Sequence, residues 1–246
     1  MSAAAVVLAA GGGSRMGSPT NKIFLLVDGK PILSRTLELF DRMQIISSIV
    51  LVIAESDREP CAALIRDGGY VKVRQVVLGG DSRHASEHLG LLALTDEVAA
   101  GTIDVALVHD AVRPFVSPDQ VEAVVAAARR TGAAILAVPA GEQLLVEAAD
   151  GSVLPAGAGL WVAQTPQAFD ASIALEAHRR AAGDGFLGTD TAAVVERMGH
   201  PVSVVEGRSD NLKITTSDDL IRAELIARQI RGDADVGSFA DLTPRI

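Results

Sequence analysis

Cysteine is almost absent from this chain of 246 residues, with Cys61 its sole example. No intrachain disulfide and no cysteine-based zinc cluster is therefore expected, and the usage suits the cytoplasm. Aromatic residues make up only 3%, too few for the stacking platforms on which single-stranded nucleic acids are bound. A basic excess is missing too: the net charge is −9, which argues against a broad nucleic-acid face, so any anionic ligand must be met locally. Although 48% of the chain is hydrophobic, no uninterrupted apolar run approaches the roughly 20 residues that a spanning helix needs, and no membrane association is expected. The start, Met1-Ser2-Ala3-Ala4-Ala5, places no basic residue before its apolar run, so a secretory signal is not expected.

What the chain does have is a phosphate site in outline. The run from Val6 to Ala10 reads as a strand buried on both faces, and Gly11-Gly12-Gly13-Ser14-Arg15-Met16-Gly17 follows, with Lys22 close behind. Glycines let backbone N–H groups crowd an anion, and Arg15 and Lys22 supply fixed charge. A nucleotide P-loop fails here, because Ser18-Pro19 stands where Lys-Ser/Thr is required. The dinucleotide fingerprint is weakened, since Met16 occupies its third glycine position and Pro19 interrupts the helix. A plain flexible turn with a solvated Arg15 also fits these residues.

Strand-like and helix-like runs alternate, which predicts βαβ units and a mainly parallel sheet covered by helices on both faces. Strands are expected at 5–9, 48–54, 71–77, 105–109, 134–138 and 202–205, and helices at 32–43, 60–67, 82–94, 118–131, 173–182, 190–198 and 217–231. In the helix at 118–131, Val121, Val124, Val125 and Ala128 share one face behind a Ser117 cap, a core stripe. Residues 1–231 read as one domain and 232–246 as a poorly ordered acidic tail. About 139–160 the alternation breaks: Leu144-Leu145-Val146 and Val153-Leu154 flank Ala149-Asp150-Gly151-Ser152, predicting a β-hairpin arm. An isolated apolar hairpin is marginal, so the arm is expected to pack on a second subunit.

Ligands in open α/β sheets sit at the C-terminal strand ends, where this chain puts its polar motifs. Gly79-Gly80-Asp81-Ser82-Arg83 follows the third strand and fits either a binding loop or an ordinary capped turn. His109-Asp110-Ala111-Val112-Arg113-Pro114 follows the fourth, where Asp110 suits a metal–phosphate complex or ribose, or else a turn bridge to Arg113. Thr189 or Asp190 fits a helix cap, and Lys213, in Asp210-Asn211-Leu212-Lys213-Ile214-Thr215, stands alone in an extended run where it can reach a phosphate. The five histidines pair with no nucleophile and Cys61 is an unpromising one, so covalent catalysis has no candidate.

Together with Asn21-Lys22, Gly29-Lys30-Pro31-Ile32-Leu33 and Gln164-Thr165-Pro166-Gln167, these motifs resemble, in order from about Val6 to Ile226, the 2-C-methyl-D-erythritol 4-phosphate cytidylyltransferase family. The resemblance implies a Rossmann-like nucleotidyltransferase fold, a homodimer with an exchanged β-arm, and use of CTP and Mg²⁺ or another divalent cation. It assigns Ala9, Ala10, Gly11, Gly13, Arg15 and Lys22 to the CTP phosphates, and Gly80, Asp81, Arg83 and Ser86 to the cytosine side. Asp110, with Ala111, is implied near the ribose and, as metal ligand, near Mg²⁺; Arg113, Thr165 and Lys213 are implied around the acceptor phosphate. Arg15, Lys22 and Lys213 are the implied catalytic cations. The arm departs from the family pattern, with Glu142-Gln143-Leu144-Leu145 where Asp-Thr and then Lys are usual, and Gly157 where an Arg is usual. Thr189-Asp190-Thr191 also replaces the usual Thr-Asp and acidic residue. Two further readings stay open: a nucleotidyltransferase for another polyol or sugar phosphate, such as ribitol 5-phosphate, and a non-catalytic CTP-binding homologue.

Overall fold

Alternate residues of the first strand face two different cores, and this partition organises the molecule. The computed structural model describes residues 1–11, 21–141, 144–147, 149–156 and 159–232. In β1 (Ser2–Leu8), Ala3, Ala5 and Val7 enter one hydrophobic cluster while Ala4 and Val6 enter the other. That is the period of two of a strand covered on both sides.

The central sheet has seven strands in the order β11 (Ser203–Glu206), β7 (Ala133–Pro139), β10 (Trp161–Asp170), β6 (Ile103–Asp110), β1, β4 (Ile46–Ile53) and β5 (Val73–Leu78). All pairings are parallel except those of β10, which runs antiparallel to both neighbours. The first cluster packs under α1 (Ile32–Arg42), α5 (Pro118–Thr131) and α8 (Ser217–Arg231), and α2 (Arg58–Gly68) adds Cys61. The second packs under α3 (Arg83–Leu92), α6 (Ala171–Asp184) and α7 (Thr191–Arg197). Gly90 sets the approach of α3: a Cβ there would fall 2.4 Å from Val6 Cγ1 and 2.8 Å from Val52 Cγ2.

The α/β class, the mainly parallel sheet and the helices on both faces are as the sequence predicts. Four elements were not expected. β10 joins the middle of the sheet, the short strands β2 (Leu26–Val27) and β3 (Lys30–Pro31) form a separate hairpin, and α4 (Thr95–Ala99) follows α3. The predicted strand at 71–77 begins two residues later, at Val73. The arm appears as β8 (Leu145–Glu147) paired antiparallel with β9 (Val153–Pro155). Its turn has Gly151 at φ 82 and Asp150 Oδ1 accepting from the Ser152 N–H at 2.9 Å. Residues 233–246, the expected tail, lie outside the described residues.

Candidate nucleotide site

The C-terminal ends of β1, β5 and β6 open on a cleft of about 440 Å³. Each wall is built by local chemistry. Beyond β1 the Ala9 N–H is held by the Val52 carbonyl at 2.7 Å, which carries Ala10 and Gly11 to the rim. Asn21 locks the segment bearing Lys22: its amide donates to Asp57 Oδ2 at 2.6 Å, and its Oδ1 caps the 3-10 turn Lys22–Phe24 through the Ile23 N–H. After β5, Gly79 and Gly80 have no room for side chains, since a Cβ would fall 2.5 Å from Ala10 Cβ at Gly79 and 2.5 Å from Ala85 Cβ at Gly80. Ser86 Oγ accepts from the Gly80 N–H at 3.1 Å and Ser82 caps α3, so this loop is tied to the helix it precedes.

Asp110, at the end of β6, is the electrostatic centre. One carboxylate oxygen meets Arg83 Nη1 at 2.9 Å; the other meets Lys213 Nζ at 2.9 Å and lies 3.6 Å from Arg113 Nε. Burial alone would raise its pKa, but Arg83, Lys213 and Arg113 outweigh it and hold the carboxyl down at about 2. Arg83 extends the cluster inward, donating from Nε to Glu87 Oε1 at 2.8 Å. Burial pushes Glu87 up to about 7 against the pull of Arg83 and Thr191.

Behind the cleft a second layer fixes this geometry. Thr165 Oγ1 accepts from the Asp110 N–H at 3.0 Å and lies 3.3 Å from His109 Nδ1, while His109 Nε2 meets the Arg113 carbonyl at 3.1 Å. These contacts fit one arrangement, with Nε2–H donating to Arg113 and the bare Nδ1 accepting from Thr165. Burial holds His109 neutral, at a pKa of about 4. The buried Asn211 side chain donates to the Thr165 carbonyl at 2.9 Å, and the Asn211 backbone carbonyl accepts from Arg113 Nη1 at 2.8 Å. With the Ile214 N–H on the Val112 carbonyl, these bonds deliver Lys213 to the cleft.

Of the residues predicted from sequence, Ala9, Ala10, Gly11, Lys22, Gly80, Asp81, Arg83, Ser86, Asp110 and Lys213 are brought together on the cleft wall. Gly13 and Arg15 lie outside the described residues, as do Glu142, Gln143 and Gly157 of the arm. Ala111, Arg113 and Thr165 stand behind the wall. Ala111 is fully buried, its N–H on the Leu8 carbonyl and its carbonyl on Thr36. Thr165 is buried with its hydroxyl engaged, so both act on the cleft through Asp110 and its strand. Asp190 caps α7, as one reading of its motif expects, and also accepts from Gln167 at 2.8 Å. Glu87, Thr191 and His109 escaped notice as site residues; only the Arg83–Glu87 spacing of four on a helix carried a signal. Cys61 is buried, and burial together with Asp57 pushes its thiol up to about 12, which removes it as a nucleophile.

Comparisons with known proteins identify the family and the fold. Residues 3–229 match the model of the family described as 2-C-methyl-D-erythritol 4-phosphate cytidylyltransferase. A protein of that name from Geobacter metallireducens is 42% identical over 231 residues, covering 93% of this chain and 99% of its own. One from Bacillus velezensis is 40% identical and covers 94% of this chain and 98% of its own. Among solved structures, 4-diphosphocytidyl-2C-methyl-D-erythritol synthase from Anaerococcus prevotii superposes with a TM-score of 0.80 at 28% identity, covering 92% of this chain and 96% of that one. The 2-C-methyl-D-erythritol 4-phosphate cytidylyltransferase from Thermus thermophilus gives 0.71 at 31%, covering 93% and 100%. This chain belongs to the 2-C-methyl-D-erythritol 4-phosphate cytidylyltransferase family.

Proposed function

We propose that the chain transfers the cytidylyl group of CTP to 2-C-methyl-D-erythritol 4-phosphate, giving 4-diphosphocytidyl-2-C-methyl-D-erythritol and pyrophosphate in isoprenoid biosynthesis. The observation that carries this is the cleft at the strand ends, lined by Lys22, in which Arg83 and Lys213 meet the Asp110 carboxylate, in a chain of this family. An oxygen of the acceptor phosphate forms a bond to the α-phosphorus of CTP as the bond from that phosphorus to the β-phosphate bridging oxygen breaks. Charge on the departing pyrophosphate is neutralised by Lys22 and by Arg15. Lys213, on Asp110, neutralises the acceptor phosphate with Arg113 supporting it through the same carboxylate from behind the wall, and Gly80, Asp81 and Arg83 take the base. No protein nucleophile is required, because positioning and charge neutralisation supply the catalysis.

The donor set suits Mg²⁺ carried by the nucleotide. Among the described residues no group of three His, Cys, Asp or Glu side chains could hold a metal ion, whereas Mg²⁺ needs only one or two carboxylates beside phosphate oxygens and water. Of the two carboxylates on the cleft wall, Asp81 and Asp110, Asp110 is the one that would hold the ion, which would supply Lewis-acid neutralisation of phosphate charge.

The arm supports a homodimer. Leu145, Val146, Val153 and Leu154 are each more than half exposed, an apolar surface that a second copy of the chain would cover. No described helix is long and apolar enough to cross a membrane, and a single buried thiol suits the cytoplasm.

The test is pyrophosphate release from CTP and Mg²⁺ with 2-C-methyl-D-erythritol 4-phosphate, with ribitol 5-phosphate, Arg15→Ala and Lys22→Ala run in parallel. Turnover with the first acceptor, lost in both variants, is expected. Turnover only with ribitol 5-phosphate would reassign the acceptor, and CTP binding without turnover would make the chain a non-catalytic homologue.

A further inference from the structure

A carboxylate buried completely beside the cleft has no part in the mechanism above. Glu87 lies on α3 one turn beyond Arg83 and exposes none of its surface. Oε1 accepts from Arg83 Nε at 2.8 Å and Oε2 accepts from Thr191 Oγ1 at 2.9 Å. Thr191 in turn lies 3.1 Å from Nε2 of His178, a buried residue of α6. We infer that Glu87 is a positioning residue for the nucleotide: gripped between Arg83 and Thr191, its carboxylate fixes the guanidinium so that Nη1 stays on Asp110 at the cleft wall. The inference rests on reading that cleft as the CTP site.

Arg83 is the element that needs fixing. Its side chain is about one-third exposed, and a long cationic side chain loses little by swinging into water unless something holds it. Two anions do so from different directions, Glu87 on Nε and Asp110 on Nη1, and two fixed hydrogen bonds set the plane of a guanidinium where one would leave it free to turn. Burial disfavours the Arg83 charge, but Asp110 and Glu87 together more than restore it.

The proton arrangement around Glu87 has two self-consistent states. With Glu87 ionised, Thr191 donates its only hydrogen to Oε2 and must accept from His178, which therefore carries its proton on Nε2. His178 Nδ1 is buried without a hydrogen-bond partner among the described residues, which suits a bare ring nitrogen better than a buried N–H. With Glu87 protonated on Oε2, the acid donates to Thr191, Thr191 donates to a bare His178 Nε2, and the ring proton moves to Nδ1. Arg83 then faces a neutral acid and loses one of its two charged anchors.

The other groups around this point pull the balance in opposite directions. His84 and His88 on α3 stack against His178 at ring separations of 4.9 and 5.5 Å. Burial lowers the pKa of all three, and for His178 it reaches about 3. Asp190, the cap of α7, raises Glu87 slightly, while Arg83 and Thr191 lower it against burial, leaving it at about 7. Asp110 completes the set on the far side of Arg83.

The test is steady-state kinetics with CTP varied at saturating acceptor across neutral pH, together with calorimetric CTP binding, for the wild type, Glu87→Gln and Thr191→Val. Glu87→Gln should raise the KM for CTP about tenfold, as expected for one charge-assisted hydrogen bond lost at one remove, with kcat changed less than about twofold. The wild-type KM should fall as Glu87 ionises with rising pH. In Glu87→Gln that step should vanish, leaving only the titration of the nucleotide, common to both proteins. Thr191→Val should raise the KM about threefold and move the step to higher pH, because Glu87 loses a donor to its charged form. A folded Glu87→Gln with wild-type KM and pH profile overturns the inference, and if that variant does not fold, an unmoved step in Thr191→Val overturns it. Failure of the wild type to bind CTP at all would instead overturn the reading of the cleft.

Discussion

Replacing Glu87 by Gln should make the protein more stable relative to the wild type as pH rises, although it weakens the nucleotide site. Burial raises the carboxyl from 4.5 to about 7. The folded state therefore binds a proton that the unfolded state releases, and stability falls between these two values as pH rises. The full penalty of ionising Glu87 inside the fold is about 2.5 pK units, or about 3.5 kcal/mol at about 1.4 kcal/mol per unit. Part of it is already present in weakly acidic solution, so about 2 kcal/mol develops between about pH 5.5 and about pH 8.5. Glutamine cannot ionise and escapes this term. Urea unfolding of both proteins at those two pH values should show the stability of Glu87→Gln minus that of the wild type growing by about 2 kcal/mol toward alkaline pH, a shift of about 4–8 °C in Tm for a chain of this size. Other titrating groups act in both proteins and cancel in the difference. If it stays constant with pH to within about 0.5 kcal/mol, Glu87 does not titrate as its burial demands and the argument fails.

Asp110→Asn should do the opposite, because the folded-state pKa of Asp110 is depressed from 3.8 to about 2. The stability this contributes is complete above the unfolded value and is lost as pH falls through about 2, so at neutral pH the variant should lose about 2–3 kcal/mol in urea unfolding, with the gap closing below about pH 4. A gap of equal size at all pH values would show the loss to be steric. Gly90→Ala should cost about 1–3 kcal/mol, read as a lower Tm, since a methyl group 2.4 Å from Val6 Cγ1 must push α3 off the sheet. An unchanged Tm would mean that α3 moves freely. Leu154→Lys in the exposed arm should shift the chain from dimer to monomer in analytical ultracentrifugation; a dimer that persists would place the interface elsewhere.

The elements that sequence predicts best are those whose signals are local. Residues 118–131 and 217–231 are helical over the expected ranges because Ser117 and Thr216 close capping boxes at one end and Gly132 and Gly232 adopt positive φ at the other. The same holds for the strands of continuous apolar residues. β10 was invisible for the opposite reason. Gln164, Thr165, Pro166 and Gln167 carry no apolar strand pattern, yet the structure buries three of them as polar strand residues whose partners come from far along the chain: Arg208, Asn211, His109 and Asp190. No pattern within a window reports such satisfaction. The cleft residues were legible through motif order at the strand ends, whereas Glu87 reads as an ordinary helical surface acid until the fold brings Thr191 over it.

The centre of the site also shows why a chain with a net charge of −9 can bind a triphosphate. Asp110 gathers Arg83, Arg113 and Lys213 from three separate segments, and Glu87 balances Arg83 from within. These cations are held in place by buried anions, so little rearrangement is needed when phosphate arrives. The cost lies in the exchange: Lys213, 2.9 Å from Asp110, must share its charge with a new anion, and the net gain is the difference between two strong interactions. Such a site gives up raw affinity for fixed geometry. In a displacement at phosphorus, where catalysis consists of holding charge opposite the transition state, fixed geometry is what accelerates the reaction.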